Sequence, residues 1–189
     1  MTASIDQSLE SISEGLRRLG REPLLTALDA PLSFGEVAPA LEDVGLAPSA
    51  SVAALYEWHN GTKRDISLDD SQLFPGFYFP DFDEALTNYK VFCESPRWTR
   101  GWFPLFADGG GDFYVADFNS DAVPMRRFRI EYAECPVEYE SLPDMLSTLA
   151  AAFDEGIYYV DDDGYLEIDR VAFSSLAARL NPRVAWWKD

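Results

Sequence analysis

The chain has 189 residues, 47% of them hydrophobic, so it is long enough to bury one sizeable core without disulfides or metals. Its formal net charge of −18 predicts repulsion from nucleic acids and anionic lipid surfaces, and it favours basic proteins and cations as partners. The first residues lack a secretory signal and no apolar run approaches the roughly 18 residues of a membrane helix, so we expect a cytoplasmic protein that contacts no membrane.

The first 46 residues predict two helices. Apolar side chains spaced three or four residues apart define one face of the first helix: Ile5, Leu9, Ile12, Leu16 and Leu19. Gly20 is expected to end that helix. The second helix begins at a Ser-x-x-Glu capping box, Ser33 to Glu36, whose two side chains can each satisfy a free backbone amide.

The middle of the chain changes from helical to aromatic. Pro48 is expected to begin a third helix, and Asn60-Gly61 to end it through a left-handed cap. Leu73 to Phe79, broken by Pro75 and Gly76, predicts a short strand or a bulged sheet edge. Asp81 is expected to cap a further helix. The aromatic side chains here predict core packing, with exposure as interface anchors the alternative: Phe74, Phe77, Tyr78, Phe79 and Phe82.

Two nearly continuous apolar runs within Trp102 to Phe118 predict a β-hairpin whose strands are covered on both faces. Between them, Gly109-Gly110-Gly111 permits the positive φ angles of a tight reversal. A glycine-rich loop that cradles a phosphate is the alternative, but such loops open a helix, and Asp108 and Asp112 would repel the anion.

The last third predicts strands and then helices. Strands are expected over Val123 to Tyr132 and Val137 to Glu140, and Ser141 should cap a helix that ends at Gly156. After a short apolar segment, Asp161 to Gly164 predicts a turn. A last helix, capped by Asp169 and ended by Asn181-Pro182, should carry the apolar residues Val171, Phe173, Leu176 and Leu180. The order of elements predicts a single α+β domain with a central, mostly antiparallel sheet flanked by helices.

Negative charge is concentrated in two segments that contain no Lys or Arg. Twelve acidic residues lie between Glu131 and Asp169, and a second such segment runs from Asp65 to Tyr89. Solubility alone is one explanation, and binding of a basic protein is the other. The candidates for partner binding are Asp65, Asp69, Asp70, Glu138, Glu140, Asp161, Asp162, Asp163 and Glu167.

Histidine and cysteine are few, whereas the 33 acidic residues are too many for the sequence to single out a catalytic pair. His59 is the only histidine and lies beside the predicted helix terminator Asn60-Gly61, which favours a cap or core role over catalysis. Cys93 and Cys135 lack metal-ligand spacing, and we expect both to be small buried residues in a reducing cytosol. Asp161 to Gly164 does not extend into a calcium loop, because Arg170 stands where the bidentate glutamate belongs. We predict no catalytic residue, cofactor or metal.

Two of these motifs, taken in order, resemble the SUKH superfamily, which includes the yeast Smi/Knr cell-wall regulator. The first is an apolar helix closing on Trp58-His-Asn60-Gly61, and the second is the tryptophan-led strand, glycine-rich turn and aspartate-containing strand that follow about forty residues later. The tail from Ile157 to Pro182 is also similar to that of many bacterial members. The matching motif residues are Trp58, Asn60, Gly61, Trp102, Pro104, Asp108, Gly109, Gly110, Gly111, Asp112 and Asp117.

The resemblance implies a SUKH-like domain over residues 47–189, with residues 1–46 as added N-terminal helices packed on it. It also implies a non-enzymatic immunity protein that neutralises a cognate toxin, such as a nuclease, by blocking the basic cleft that holds phosphate. A regulatory scaffold that binds an endogenous protein is the alternative, and an undetected metal-dependent hydrolase centred on His59 or the Asp161 cluster is a further one. We expect a monomer or a weak dimer.

Overall fold

A six-stranded antiparallel sheet, in the order β1-β2-β3-β4-β5-β6, forms the middle of the protein. The computed structural model describes residues 4–63 and 65–188. The strands are β1 Gln72–Phe74, β2 Phe77–Tyr78, β3 Trp102–Ala107, β4 Phe113–Asp117, β5 Met125–Phe128 and β6 Val137–Tyr139. Each strand pairs with the next one along the chain, and β1 and β6 are therefore the sheet edges.

Within the described residues, seven α-helices accompany the sheet: α1 Ile5–Arg18, α2 Glu22–Ala27, α3 Phe34–Asp43, α4 Ala50–Trp58, α5 Phe82–Phe92, α6 Leu142–Asp154 and α7 Arg170–Leu180. A separate two-stranded sheet, β7 Tyr158–Val160 and β8 Leu166–Ile168, lies between α6 and α7. A 3₁₀ turn, Ala185–Lys188, follows α7. This arrangement confirms the predicted α+β fold.

One apolar core joins the N-terminal helices to the rest of the chain. Leu9, Ile12 and Leu16 of α1 are buried in the same cluster as side chains of the sheet and of α6. Helix α1 packs closely on α6, since a Cβ atom at Gly15 would lie 2.5 Å from the Cβ of Phe153. The N-terminal helices therefore share their core with the remainder of this single domain.

The hairpin of β3 and β4 is buried on both faces, as its apolar runs predicted. Phe103 and Ala116 face the main core, whereas Trp102, Phe113 and Val115 belong to a second cluster on the opposite face. That second cluster includes Trp98, from the segment that follows α5. The hairpin thus sits at the centre of the fold and exposes only its turn.

Pro104 is tolerated inside β3 because little of this strand is paired on its β2 side. Among the described residues, β2 and β3 share a single register pair, which joins Tyr78 to Ala107 near the end of β3. The pairing of β3 with β4 also shifts between Pro104 and Phe106, which marks an irregularity at the proline. A proline, which has no N–H to donate, can therefore occupy this position without removing a ladder hydrogen bond on the β2 side.

Several predicted boundaries needed correction. The strand expected over Val123 to Tyr132 is confined to Met125–Phe128, and the helix expected from Pro48 begins after the N-cap residue Ser49. Helix α2 and strand β8 were not predicted. Among the apolar residues of α7, Val171 and Leu180 are 79% and 41% exposed, because this helix packs on only one side.

The aromatic segment from Phe74 to Phe82 forms core rather than an interface. Phe74, Phe77, Phe79 and Phe82 are all buried in the main cluster, which excludes them as exposed anchors, and Tyr78 is half-buried. Cys93 and Cys135 are free and half-buried against the second cluster, so they are less buried than expected. No helix in the described part of the chain combines the length and apolarity needed to span a bilayer.

Candidate partner-binding surface

The glycine-rich turn of the β3–β4 hairpin is closed by its own aspartates. One carboxylate oxygen of Asp108 accepts hydrogen bonds from the amides of Gly110 at 2.7 Å and Asp112 at 2.9 Å. The Asp112 carboxylate accepts from the Ile130 amide at 2.9 Å and lies 3.4 Å from an Arg127 nitrogen. Because carboxylates already hold these amides, the turn offers no anion cradle, and the hairpin interpretation is the one the geometry supports.

Asp117, the last aspartate of the motif, is buried and held by a cation. Its Oδ2 accepts from Arg126 Nε at 2.6 Å, and its Oδ1 accepts from the backbone and side-chain nitrogens of Asn119. Burial acts to raise the pKa of this carboxyl, but the hydrogen bonds from Arg126 and Asn119 outweigh it and lower the pKa overall. The Arg126 guanidinium also lies 5.7 Å from the ring centre of Trp102, so Arg126 links two motif residues, Trp102 and Asp117.

Asn60 and Gly61 join the end of α4 to the start of α5. The Asn60 side-chain oxygen accepts from the Phe82 amide at 2.9 Å. The left-handed helix cap predicted here is wrong, since the C-cap residue is His59 and its backbone is extended. Gly61 does have a φ of +73°, but it serves a close approach: a Cβ atom there would lie 2.3 Å from the Asp81 nitrogen. Trp58 packs half-buried beside this junction and stacks on Phe79.

Glu138, one of the nine candidate partner-binding acids, is 5% exposed and is not available to a partner. Its Oε2 accepts a hydrogen bond from the Tyr114 hydroxyl at 2.8 Å. Burial raises the pKa of Glu138, although the Tyr114 hydrogen bond and the charges of Arg127 and Arg129 act in the opposite direction. A β-bulge explains the error, because Met125 pairs with Tyr139 and Arg126 with Val137, which leaves Glu138 as an extra residue in β6 and breaks the simple alternation of side chains.

The structure also separates two other acids from the rest. Glu140 is paired with Arg183, whose Nε donates to it at 2.7 Å, and it lines a cleft with Trp186. Asp65 is exposed but lines a different cleft, beside α2 and Lys63. Neither Glu140 nor Asp65 lines the cleft between the β1–β2 hairpin and β8, where the two acidic segments meet at Asp69 and Glu167.

That meeting point is a cleft of about 260 Å³ between the β1–β2 hairpin and β8. Asp69 of the first acidic segment and Glu167 of the second both line it, together with Gln72 and Tyr165. Asp70, next to Asp69, is exposed and accepts a hydrogen bond from Ser67. Residues almost one hundred positions apart in sequence are thus brought to one surface by the fold.

The turn between β7 and β8 carries more negative charge beside this cleft. Asp161 has a structural role, because its Oδ1 accepts from the amides of Asp163 at 3.0 Å and Tyr165 at 2.8 Å. Asp162 and Asp163 are exposed, and no Lys or Arg of the described residues forms an ion pair with them. We define the acidic face as Asp69, Asp70, Tyr159, Asp162, Asp163, Tyr165 and Glu167.

Two tyrosines of the acidic face were not among the predicted candidates. Tyr159 is 44% exposed and pairs across the strands with Glu167, and Tyr165 is 48% exposed. A sequence signal did exist, since both tyrosines flank the acidic turn. The exposure of Tyr159, however, follows only from the alternation of side chains along β7, which was not predicted from the sequence. Exposed tyrosines beside carboxylates combine apolar contact area with a polar tip, as binding surfaces commonly do.

The residues of the hydrolase alternative have structural contacts. A ring nitrogen of His59, Nδ1, lies 2.9 Å from the carbonyl oxygen of Asp29, and the ring meets Trp58 edge-on at 4.7 Å between centres. These contacts agree with the cap or core role expected of His59. Among the described residues, no three His, Cys, Asp or Glu side chains are grouped so that they could hold a metal ion.

A larger cleft, of about 570 Å³, lies away from the acidic face. Its charged lining is mixed, with Asp43 and Glu94 as well as Lys90 and Arg100, and it also includes Cys93. With both signs of charge present, this cleft shows no net preference for an ionic ligand.

No protein-family model matches this sequence, and no curated protein matches it significantly. The resemblance to the SUKH superfamily therefore rests on the motifs quoted from the sequence.

Proposed function

We propose that this chain is a non-enzymatic protein-binding module of the SUKH type, which acts as an immunity protein and sequesters a cognate basic toxin, such as a nuclease. The observation that supports this proposal best is the acidic face. It combines exposed carboxylates from two distant segments with two exposed tyrosines. By contrast, the glycines and aspartates of the hairpin turn hold one another and leave little for a ligand.

The chemistry of a nuclease suits such a face. An enzyme that holds phosphate needs a basic cleft, and a surface of carboxylates can occupy that cleft in place of the nucleic acid. The net charge of −18 would steer the two proteins together and speed their association. Tyr159 and Tyr165 would supply the desolvated contacts that charge alone does not provide. We place the protein in the cytoplasm, where it would meet the toxin before release.

Co-expression tests this proposal. Every toxin-like product encoded near this gene would be expressed with and without the chain, and cell survival and complex formation would be measured. We expect protection against one of them and a 1:1 complex by calorimetry. Protection against none, together with no complex, would refute the proposal.

Charge reversal locates the contact. The triple variant Asp162→Lys, Asp163→Lys, Glu167→Lys should weaken the complex at least tenfold, which is about 1.4 kcal/mol. The matched control Glu14→Lys, Glu42→Lys, Asp121→Lys makes the same change in net charge at exposed positions outside the acidic face and should weaken it far less. Equal effects would mean that total charge, rather than this face, carries the binding.

A further inference from the structure

Strand β8 has an unpaired outer edge. The Asp161 amide donates to the Tyr165 carbonyl and the Asp169 amide donates to the Ile157 carbonyl, both at 3.0 Å. In an antiparallel ladder, hydrogen-bonded and non-hydrogen-bonded residue pairs alternate. Tyr159 and Glu167 lie midway between these two bonded pairs, so they form a hydrogen-bonded pair as well. The N–H and C=O groups of Leu166 and Ile168 consequently point away from β7, and no loop or side chain of the described residues bonds to them.

This free edge faces the cleft of the acidic face. Leu166, Glu167 and Ile168 line one wall of the cleft, and Gln72, Pro75 and Gly76 of the β1–β2 hairpin line the other. Because β1 is an edge strand of the six-stranded sheet and β8 belongs to the two-stranded sheet, the cleft lies between edge strands of the two sheets. An extended segment lying in it would find the backbone donors and acceptors that such segments need.

The charge around the free edge of β8 favours a basic segment as the added strand. Glu167 and Tyr159 form a cross-strand pair on the solvent side of the hairpin, so a residue opposite Glu167 on an added strand would extend the same row. Asp69 borders the cleft, and Asp162 and Asp163 lie in the adjoining turn, whereas Arg170 is the one cation among the lining residues that the structure describes. The row therefore favours a lysine or arginine opposite Glu167.

We propose that β8 receives an extended basic segment of the protein partner as an added antiparallel strand. Its backbone pairs with Leu166 and Ile168, and a lysine or arginine between the two paired residues lies opposite Glu167. This inference rests on the proposed function, since it specifies how the acidic face holds a basic partner. Pairing with β8 of a second copy of this chain is disfavoured, because the acidic residues of the two copies would be brought together.

The probe is the peptide acetyl-Lys-Val-Arg-Val-Lys-amide, whose valines would pair with Leu166 and Ile168. N-methylation of both valines removes the donors that would point at β8, while N-methylation of the arginine alters a donor that would point away from it. We expect titration calorimetry in 50 mM salt to show binding, a loss of at least tenfold for the valine-methylated peptide, and less than threefold for the arginine-methylated one. Glu167→Lys should weaken binding at least fivefold, and exposed Glu131→Lys should have little effect.

Amide exchange gives an independent readout on the intact chain. The amides of Leu166 and Ile168 should exchange at least tenfold more slowly with the peptide bound, whereas the Glu167 amide, already bonded to β7, should change little. If both methylated peptides bind as tightly as the unmodified one and the amides of Leu166 and Ile168 stay unprotected, the strand pairing is wrong, but the acidic face still binds the peptide. Absence of any peptide binding would overturn the pairing as well. Protection without peptide, in a dimeric protein, would show self-pairing and overturn the basic occupant.

Discussion

Two buried carboxylates of this protein have opposite electrostatic environments. Asp117 faces Arg126 and Asn119, whose hydrogen bonds lower the pKa of its carboxyl against the effect of burial. Glu138 has the Tyr114 hydroxyl as its hydrogen-bond partner, and burial raises its pKa. A paired acid stabilises the fold when ionised, and a desolvated one stabilises it best when neutral.

The stability contributed by Glu138 should therefore depend on pH. Its raised pKa means that the contribution is complete below about pH 4, the ordinary range of a glutamate, and declines as pH rises through the raised pKa. Glu138→Gln keeps an acceptor for the Tyr114 hydroxyl and does not titrate. We expect urea unfolding to show that Glu138→Gln gains stability relative to the wild-type chain as pH is raised from 4 to 8.

Two further variants make that measurement decisive. Glu138→Ala leaves the Tyr114 hydroxyl without this acceptor and should cost about 1–3 kcal/mol at pH 4, and less at pH 8, where the wild-type chain has itself lost part of the Glu138 contribution. Glu131→Gln, at an exposed position, should leave the pH dependence unchanged. A Glu138→Gln variant whose stability follows the wild type in parallel from pH 4 to 8 would contradict the assigned pKa shift.

At the scale of elements, the junction of α4 and α5 depends on a missing side chain. Gly61 approaches the Pro80–Asp81 backbone so closely that any Cβ atom would overlap it. The Asn60 side chain then caps the junction through the Phe82 amide. The Asn-Gly pair therefore brings two helices together, a role that a helix-end signal in the sequence does not reveal.

Gly61→Ala should destabilise the protein more than an equivalent change in open space. Gly20 has almost the same φ, +72° against +73°, but no atom lies within 4 Å of a Cβ built there. Gly20→Ala should thus cost about 1 kcal/mol from backbone strain alone, whereas Gly61→Ala should cost about 2–4 kcal/mol through added overlap. Urea unfolding of both variants measures the difference, and equal losses would show that the close approach relaxes freely.

Across the whole molecule, charge is strongly unbalanced, with 33 acidic residues against 15 Lys and Arg. Most of the ion pairs seen among the described residues, such as Arg18 with Asp154 and Arg179 with Glu155, are exposed, and they add little stability. Repulsion among the remaining carboxylates opposes the compact state. The same imbalance that would attract a basic partner therefore lowers the stability of the free protein.

Salt should stabilise this protein. Raising sodium chloride from 20 to 500 mM screens the repulsion and should increase the free energy of unfolding by about 1 kcal/mol. Urea titrations at each salt concentration measure this effect without adding a charged denaturant, and potassium chloride should reproduce it. A decrease with salt would instead mean that ion pairs outweigh the repulsion.

Much of the fold was determined by local signals in the sequence. The capping box of Ser33 and Glu36, the N-caps Asp81, Ser141 and Asp169, and the glycine turn of the hairpin were all found where predicted. Such signals depend on contacts within three or four residues, so they can be predicted without knowing how the rest of the chain folds. The α+β class followed from their order.

Only the tertiary structure decided which acids face outward and which of them meet. Glu138 and Glu140 are two residues apart, yet one is buried against Tyr114 and the other pairs with Arg183. Asp69 and Glu167 share a cleft because the β1–β2 hairpin and β8 end side by side. Composition determines the total charge, but a surface is made by burial and by contacts between distant segments, which no local pattern records.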